Sequence, residues 1–181
     1  LEAFDQSVRT PEDVEVKLNL PLLGAAPLLA KGVSPQTALA DTKSSLSEAY
    51  FSIRTALQFT TAEGVPRSLL VTSFQPAEGK STSAKALSQS FARIGARVLL
   101  VDADLRNPSL HRAFGVDNFV GLSNFLTGAN PLKDLIQPSG TPGLSIVPSG
   151  PMPPSPAELL AGGRLKAFFT EAEKDFDVVI V

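Results

Sequence analysis

The chain has 181 residues, with 16 basic and 18 acidic side chains. This length fits a single domain with one full hydrophobic core. With 43% hydrophobic and 19% charged residues, the composition excludes a disordered chain and a surface that coats nucleic acid, so no nucleic-acid partner is expected. The chain has no cysteine and one histidine, His111, which excludes a disulfide scaffold and disfavours a zinc site.

Residues 1–43 are predicted to form an N-terminal segment that ends in a loop. Residues Thr10 to Asp13 combine a hydroxyl N-cap, a proline at the first helical position and an acidic first turn, which predicts a short helix. Residues 22–27 are predicted as a short strand, and residues 31–43 as a loop. The longest apolar stretch, Leu18 to Ala30, contains two prolines and a glycine and is too short to cross a bilayer.

Residues 44–181 alternate predicted helices and strands. Apolar residues spaced by three and four predict a helix from Ser45 to Phe59, on which Tyr50 packs into the core. The elements predicted after it are a strand at 69–73, a helix ending at Gly95, a strand at 98–101, short helices near 109–114, 122–126 and 131–136, a strand at 144–147, helices from 156 and from 165 to 174, and a strand from 177. This order predicts an α/β fold, with a parallel sheet covered by helices on both faces.

The chain starts on Leu1 and stops within the apolar run from Asp177 to Val181, which reads like an unfinished strand. We therefore expect a segment of a longer protein. Residues 1–43 and 44–181 are expected to pack together as one domain.

A phosphate-binding P-loop is predicted between the strand at 69–73 and the helix that follows it. The first turn of a helix has unpaired amide hydrogens and the positive end of the helix dipole, so a loop that leads into it can wrap a phosphate. Lys80 adds a positive charge that can follow the terminal phosphates, and Ser81 offers a hydroxyl oxygen to magnesium. The predicted nucleotide-binding residues are Ala77, Glu78, Gly79, Lys80, Ser81 and Thr82. On these residues alone, an ordinary turn is an open alternative.

Two carboxylates, Asp102 and Asp104, follow directly after the predicted strand at 98–101. Ligands of open α/β sheets bind at the carboxyl ends of strands, so both acids should face the P-loop. Two acids at a buried strand end repel each other unless a cation offsets their charge. The pair therefore favours magnesium and a nucleotide over simple helix capping by Asp104.

With these two motifs the chain resembles the bacterial P-loop tyrosine kinases, the cytoplasmic part of polysaccharide co-polymerases. Residues 74–81 are similar to the family's Walker A loop, and residues 99–104 to its Walker A′ motif. Residues 154–160 and 10–15 also resemble family segments. In family members, the segment that residues 10–15 resemble lies just after the second membrane helix. The resemblance implies an autophosphorylating protein-tyrosine kinase that regulates exopolysaccharide polymerisation and export. It also implies a Walker B aspartate and a tyrosine-rich tail after Val181.

The resemblance implies specific roles for the site residues. ATP or ADP with Mg²⁺ would be bound, with Lys80, Asp102 and Asp104 as catalytic residues and Ser81 and Asp102 as metal ligands. Lys80 would offset charge on the β- and γ-phosphates, and Asp104 would orient or deprotonate the acceptor tyrosine.

The resemblance further implies a ring-like homo-oligomer at the cytoplasmic face of the bacterial inner membrane. Glu48 and Arg54 resemble the family's oligomerisation motif, and both are expected on the polar flank of their helix. A transmembrane chain-length regulator, on the same or a partner chain, would be the partner.

Departures from the family pattern leave two other functions open. Phe74 stands where the family usually has glycine or alanine, and Ala77 where it usually has glycine. These departures keep a nucleotide-gated assembly module with little catalysis as one alternative. A partition-type P-loop ATPase is the other. Such ATPases carry an extra lysine in the loop, where this chain has Gln75.

Overall fold

The sheet has five strands, four of them parallel, in a computed structural model that describes residue 8 and residues 10–181. The strands are β1 (Ser68–Leu69), β2 (Val98–Val101), β3 (Gln137–Pro138), β4 (Leu144–Val147) and β5 (Val178–Ile180). Their order is β1-β5-β2-β4-β3, and β3 pairs with β4 in the antiparallel direction. This architecture confirms the predicted α/β fold with a mostly parallel sheet.

Eight α-helices occur in the part of the chain that the structure describes. They are α1 (Pro11–Leu18), α2 (Pro35–Ala40), α3 (Ser45–Leu57), α4 (Lys80–Ala92), α5 (Leu110–Phe114), α6 (Leu122–Thr127), α7 (Pro156–Ala161) and α8 (Arg164–Asp175), with a 3-10 turn at Leu132–Asp134. The predicted short helix at Thr10 is confirmed as α1, whose N-cap Thr10 forms a capping box with Asp13. Residues 1–7 and 9 of the predicted N-terminal segment lie outside the described residues.

Three sequence predictions about elements were wrong. Residues 22–27 form no strand, and the predicted loop at 31–43 contains α2. Helix α2 forms because Ser34 caps it, accepting a hydrogen bond from the Thr37 amide, and because Leu39 is buried. The third error is the first strand, which is shorter than predicted, although the Val71 amide still donates to the Val181 carbonyl at 2.8 Å.

The sheet separates two apolar clusters, one on each face. Val98 and Leu100 of β2 pack into the cluster with α3 and α4, whereas Leu99 and Val101 pack into the cluster with α6 and α8. All four residues are buried, which explains why β2 is a continuous apolar run rather than an alternating one. Strands buried on both faces hold the loops at their carboxyl ends in fixed positions.

The described part of the N-terminal segment runs close against α3. Leu23 and Leu29 pack onto the α3–α4 cluster, and a Cβ added to Gly24 would lie 2.6 Å from Cγ1 of Ile53. A side chain at Gly24 would therefore clash with Ile53. Among the residues that the structure describes, no helix is long and apolar enough to span a membrane.

Candidate functional site

The P-loop enters α4 through two residues with left-handed backbone. Gly79, the N-cap of α4, has φ 89°, and Ala77 has φ 66°. No side chain caps α4, so the first amides of this helix face the loop without a side-chain acceptor. These free amides and the helix dipole are suited to bind an anion, and the predicted phosphate-binding role of the loop stays a prediction.

Two loop side chains, those of Glu78 and Phe74, lie at different places around these amides. The carboxylate of Glu78 accepts a hydrogen bond from the Gln75 amide at 3.0 Å and so closes the loop on itself. Phe74 is 94% exposed. Its ring therefore does not fill the predicted phosphate cradle, although the residue is larger than the family pattern has there.

Asp102 is the most buried acid of the site, at 5% exposure. Its carboxylate accepts amide hydrogen bonds from Asp104 at 3.1 Å, and from Ser109 and Leu110 at 2.9 Å each. Burial raises the pKa of Asp102, and these amide bonds oppose the rise. An ionised carboxylate has about four lone-pair positions, so three amides leave one for a further ligand.

Asp104 lies beside Lys80. Nζ of Lys80 is 3.4 Å from Oδ2 of Asp104, and the Asn107 amide donates to Oδ1 at 3.0 Å. The Asn107 amide, followed by Lys80, lowers the pKa of Asp104 below its usual value. Asp104 is therefore ionised at neutral pH and can accept a hydrogen bond.

Lys80, Ser81, Asp102 and Asp104 line one small cavity of about 60 Å³ at the carboxyl ends of β2 and β5. The Ser81 and Ser109 hydroxyls are 2.8 Å apart at its edge. The described residues contain no cluster of three or more acidic or histidine side chains that could hold a metal. Ser81 and Asp102 supply oxygen only, which fits Mg²⁺, since this ion is commonly held by one or two protein oxygens together with phosphates and water.

Sequence reasoning missed the roles of Ser109 and Leu110. Their amides anchor Asp102, and Ser109 also contacts Ser81. The available signal was the position of Ser109 at the start of a short helix seven residues after Asp102, because a carboxylate can accept from the free amides of a helix N-terminus. The contact of Tyr50 with Ser83 in the first turn of α4, at 2.6 Å between the hydroxyls, was also not foreseen.

The expected position of Arg54 on a polar flank was wrong. Its side chain is 6% exposed, and Nη1 donates to the Ser90 carbonyl of α4 at 2.9 Å. Arg54 lies four residues after Tyr50 and three before Leu57, so it shares their core-facing stripe. Burial lowers the pKa of Arg54. Glu48 is exposed, as expected.

Comparison with known proteins finds similar kinases. The chain is 42% identical over 143 residues to the tyrosine-protein kinase YwqD of Bacillus subtilis, covering 79% of this chain and 60% of that protein. It thus spans less than two thirds of the length of this relative. The solved kinase domain of the Escherichia coli tyrosine kinase ETK superposes with a TM-score of 0.85 at 30% identity, covering 95% of this chain and 71% of that domain.

A more distant structural neighbour is the septum site-determining protein MinD of Pyrococcus horikoshii, solved in complex with Mg-ADP. It has a TM-score of 0.55 and 25% identity, covering 63% of this chain and 47% of that protein. No family model matches the chain.

Proposed function

We propose, from the premise that this chain belongs to the family of bacterial tyrosine kinases, that the complete protein transfers the γ-phosphoryl group of ATP to a tyrosine hydroxyl. The observation that carries the proposal is the single cavity lined by Lys80, Ser81, Asp102 and Asp104. This cavity brings together the start of the P-loop helix, the ammonium group of Lys80 and two carboxylates, which are the kinds of group that phosphoryl transfer uses.

Nucleotide binding is assigned to the backbone of the P-loop. The amides at the start of α4 suit the phosphates of ATP or ADP, and they depend on the conformations of Ala77 and Gly79 rather than on the Phe74 side chain. The Mg-ADP complex of the structural neighbour MinD supports this assignment.

Magnesium is assigned to the Ser81 hydroxyl and to the remaining lone pair of Asp102. When bound there, the ion offsets negative charge on the β- and γ-phosphates. The amides of Ser109 and Leu110 hold the Asp102 carboxylate in place, so its orientation does not depend on the ion.

Lys80 and Asp104 act on the two reacting partners. The ammonium group of Lys80 stabilises the charge that develops on the phosphate oxygens. Asp104, ionised because its pKa is lowered, accepts a hydrogen bond from the tyrosine hydroxyl and directs its oxygen at the γ-phosphorus. A bond forms between the tyrosine oxygen and the γ-phosphorus as the bond to the leaving ADP oxygen breaks, and the hydroxyl proton leaves toward Asp104.

The test is phosphotyrosine formation by the complete protein with labelled ATP. Asp104→Asn should lower the rate about 100-fold and leave ADP affinity within a factor of about two, because the amide keeps its shape but cannot take the proton. Asp134→Asn, an exposed acid in the 3-10 turn, is the matched control and should have no effect. An Asp104→Asn rate equal to that of the unmodified protein would contradict the assigned role.

A nucleotide-gated assembly module is the second candidate function, and the strained backbone of Ala77 favours it. An alanine in this conformation costs about 1–3 kcal/mol, which favours alternative loop shapes that would hold the reacting phosphates less well. The same assay distinguishes the candidates. Label on tyrosine supports the kinase, bound nucleotide without turnover supports the module, and release of free phosphate alone supports a partition-type ATPase.

The proposed setting is a homo-oligomer at the cytoplasmic face of the bacterial inner membrane, with a transmembrane chain-length regulator as partner and exopolysaccharide assembly as the regulated process. Glu48 lies beside Phe51, which is 56% exposed, and this outer face of α3 is proposed to contact a neighbouring subunit. Glu48→Ala should shift the complete protein to smaller species in sedimentation velocity, whereas Glu63→Ala, in an exposed loop, should not.

A further inference from the structure

We propose that a cleft beside the P-loop binds an acidic residue of the tyrosine-bearing segment that accepts the phosphoryl group. The cleft has a volume of about 370 Å³ and lies between α2, α4 and α5. Its lining includes Gln36, Leu39, Thr82, Lys85 and Arg112. We call it the acceptor cleft. The proposal rests on the proposed kinase function and adds a substrate preference to it.

The acceptor cleft adjoins the reacting groups. Ser81 lines both this cleft and the small cavity lined by Asp102 and Asp104, and its hydroxyl is 2.8 Å from that of Ser109, which also lines the cleft. The loop residues 74–79 do not line the cleft. A ligand there therefore approaches the first turn of α4 from the helix side, next to the predicted position of the terminal phosphate.

The charge of the acceptor cleft is positive. Lys85 and Arg112 line it, and no aspartate or glutamate does. Nζ of Lys85 donates to the Ala113 carbonyl at 3.0 Å and lies 4.4 Å from the centroid of the Phe114 ring. An ammonium group has three donors, so Lys85 retains donors for a ligand. Arg112 is exposed and forms no ion pair with another residue that the structure describes.

Partial burial lowers the pKa of Lys85 because it disfavours the charged ammonium group. An anionic side chain bound in the cleft would offset this cost. The volume lies within the range of about 300–1,000 Å³ that is usual for small-ligand pockets. Pro35, Leu39 and Ala113 add apolar wall. This combination suits an acidic side chain with an apolar neighbour, as in a peptide, better than it suits a lone inorganic ion.

The test is a charge swap in the complete protein. Two peptides that share one tyrosine, flanked by either glutamate or lysine, are compared as substrates and, by fluorescence anisotropy, as ligands. The unmodified protein should prefer the glutamate peptide. Arg112→Glu should raise KM and Kd for that peptide about fivefold and lower both for the lysine peptide, because an attractive charge pair becomes repulsive.

Two controls keep the outcomes distinct. Lys133→Glu, a charge reversal at an exposed residue outside the cleft, should leave both peptides unchanged. ADP affinity of Arg112→Glu should also be unchanged, and a parallel loss of ADP affinity would place the cleft in the nucleotide site and overturn the proposal. An unaltered preference between the two peptides in Arg112→Glu would also overturn the proposal. If the unmodified protein phosphorylates neither peptide, the proposed function fails, while the anisotropy measurement still decides whether the cleft selects acidic segments.

Discussion

Ala77 is a P-loop residue with a left-handed backbone conformation that a non-glycine residue adopts only with strain. Its φ of 66° lies in the left-handed region, where a Cβ approaches the following carbonyl oxygen. Glycine has no Cβ and adopts this conformation freely. The loop shape that the phosphate cradle needs is therefore maintained at a cost in stability.

Ala77→Gly should raise the free energy of unfolding by about 1 kcal/mol, since the gain from relieving the left-handed residue exceeds the entropy that glycine adds to the unfolded chain. Denaturant titration measures it. Ala62→Gly is the control, because Ala62 is an exposed loop residue outside the left-handed region and should lose stability instead. A loss of stability in both variants would show that Ala77 is not strained.

The candidate site residues could be picked out from the sequence because each belongs to a short contiguous motif, and their roles stay predictions. Lys80 and Ser81 follow a glycine at a helix start, and Asp102 and Asp104 follow a buried strand. The partners of these residues come from farther along the chain. The position of Ser109 at a helix start was a signal for a carboxylate contact, but the path of the intervening turn, which brings the amides of Ser109 and Leu110 onto Asp102, cannot be predicted from the spacing.

Helices α3 and α4 are joined by polar contacts as well as by apolar packing. The Tyr50 hydroxyl lies 2.6 Å from the Ser83 hydroxyl, and Arg54 donates to the Ser90 carbonyl. Ser83 is in the first turn of α4, next to the phosphate cradle. Helix α3 therefore helps to fix the start of the helix that carries Lys80.

Tyr50→Phe and Ser83→Ala should each lower the free energy of unfolding by about 1 kcal/mol, because each removes one partner of a partly buried hydrogen bond. The double variant should lose less than the sum of the two, which a double-mutant cycle by denaturant titration measures. Ser52→Ala, whose exposed hydroxyl bonds only within α3, is the control. Strictly additive losses would show that the two hydroxyls do not interact.

Element prediction succeeded where periodicity was strong and failed where capping or tertiary contacts decided. Helix α3 has a regular apolar stripe, and its predicted and observed starts agree at Ser45. Arg54 was misplaced because its charge was taken as a sign of exposure, whereas its position on that stripe buries it. The turn of α2 is too short for a period to be recognised, and its cap at Ser34 was the available signal.

The strand order of the sheet puts the candidate site residues together at the carboxyl ends of the parallel strands. The loops after β1 and β2 carry the P-loop and the acid pair, and β5 lies between these two strands. Alternation along the chain predicted a parallel sheet, but not this order. The antiparallel edge strand β3 was not predicted, since two residues that include a proline carry no strand signal.

At the amino ends of the strands, an ion pair joins the segments that precede β2 and β5. Asp177 accepts from the Arg97 amide at 2.8 Å and from its guanidinium at 2.7 Å. The Arg97 guanidinium, with its amide, lowers the pKa of Asp177 to about 2. A carboxyl whose pKa is lower in the folded state stabilises the fold above its unfolded pKa, and this contribution is lost as pH falls through the folded pKa.

Asp177→Asn should therefore lower Tm at pH 6 by about 1–3 °C, a small effect because the pair is exposed to solvent. The difference from the unmodified protein should shrink as pH falls from about 4 toward 2, and added salt should reduce it at pH 6. Thermal melts followed by circular dichroism measure it, with Asp134→Asn as the control. A Tm difference that is independent of pH would show that the pair does not titrate in this way.

If the P-loop and the acid pair form one nucleotide site, the binding of ADP with Mg²⁺ should depend on Lys80, which calorimetric titration measures. Lys80→Met should weaken ADP binding by at least about tenfold, because a charge-assisted contact to phosphate is lost. Lys133→Met, an exposed lysine away from the site, should bind like the unmodified protein. An unchanged ADP affinity in Lys80→Met, with the fold intact by circular dichroism, would contradict the assignment of this loop as a phosphate cradle.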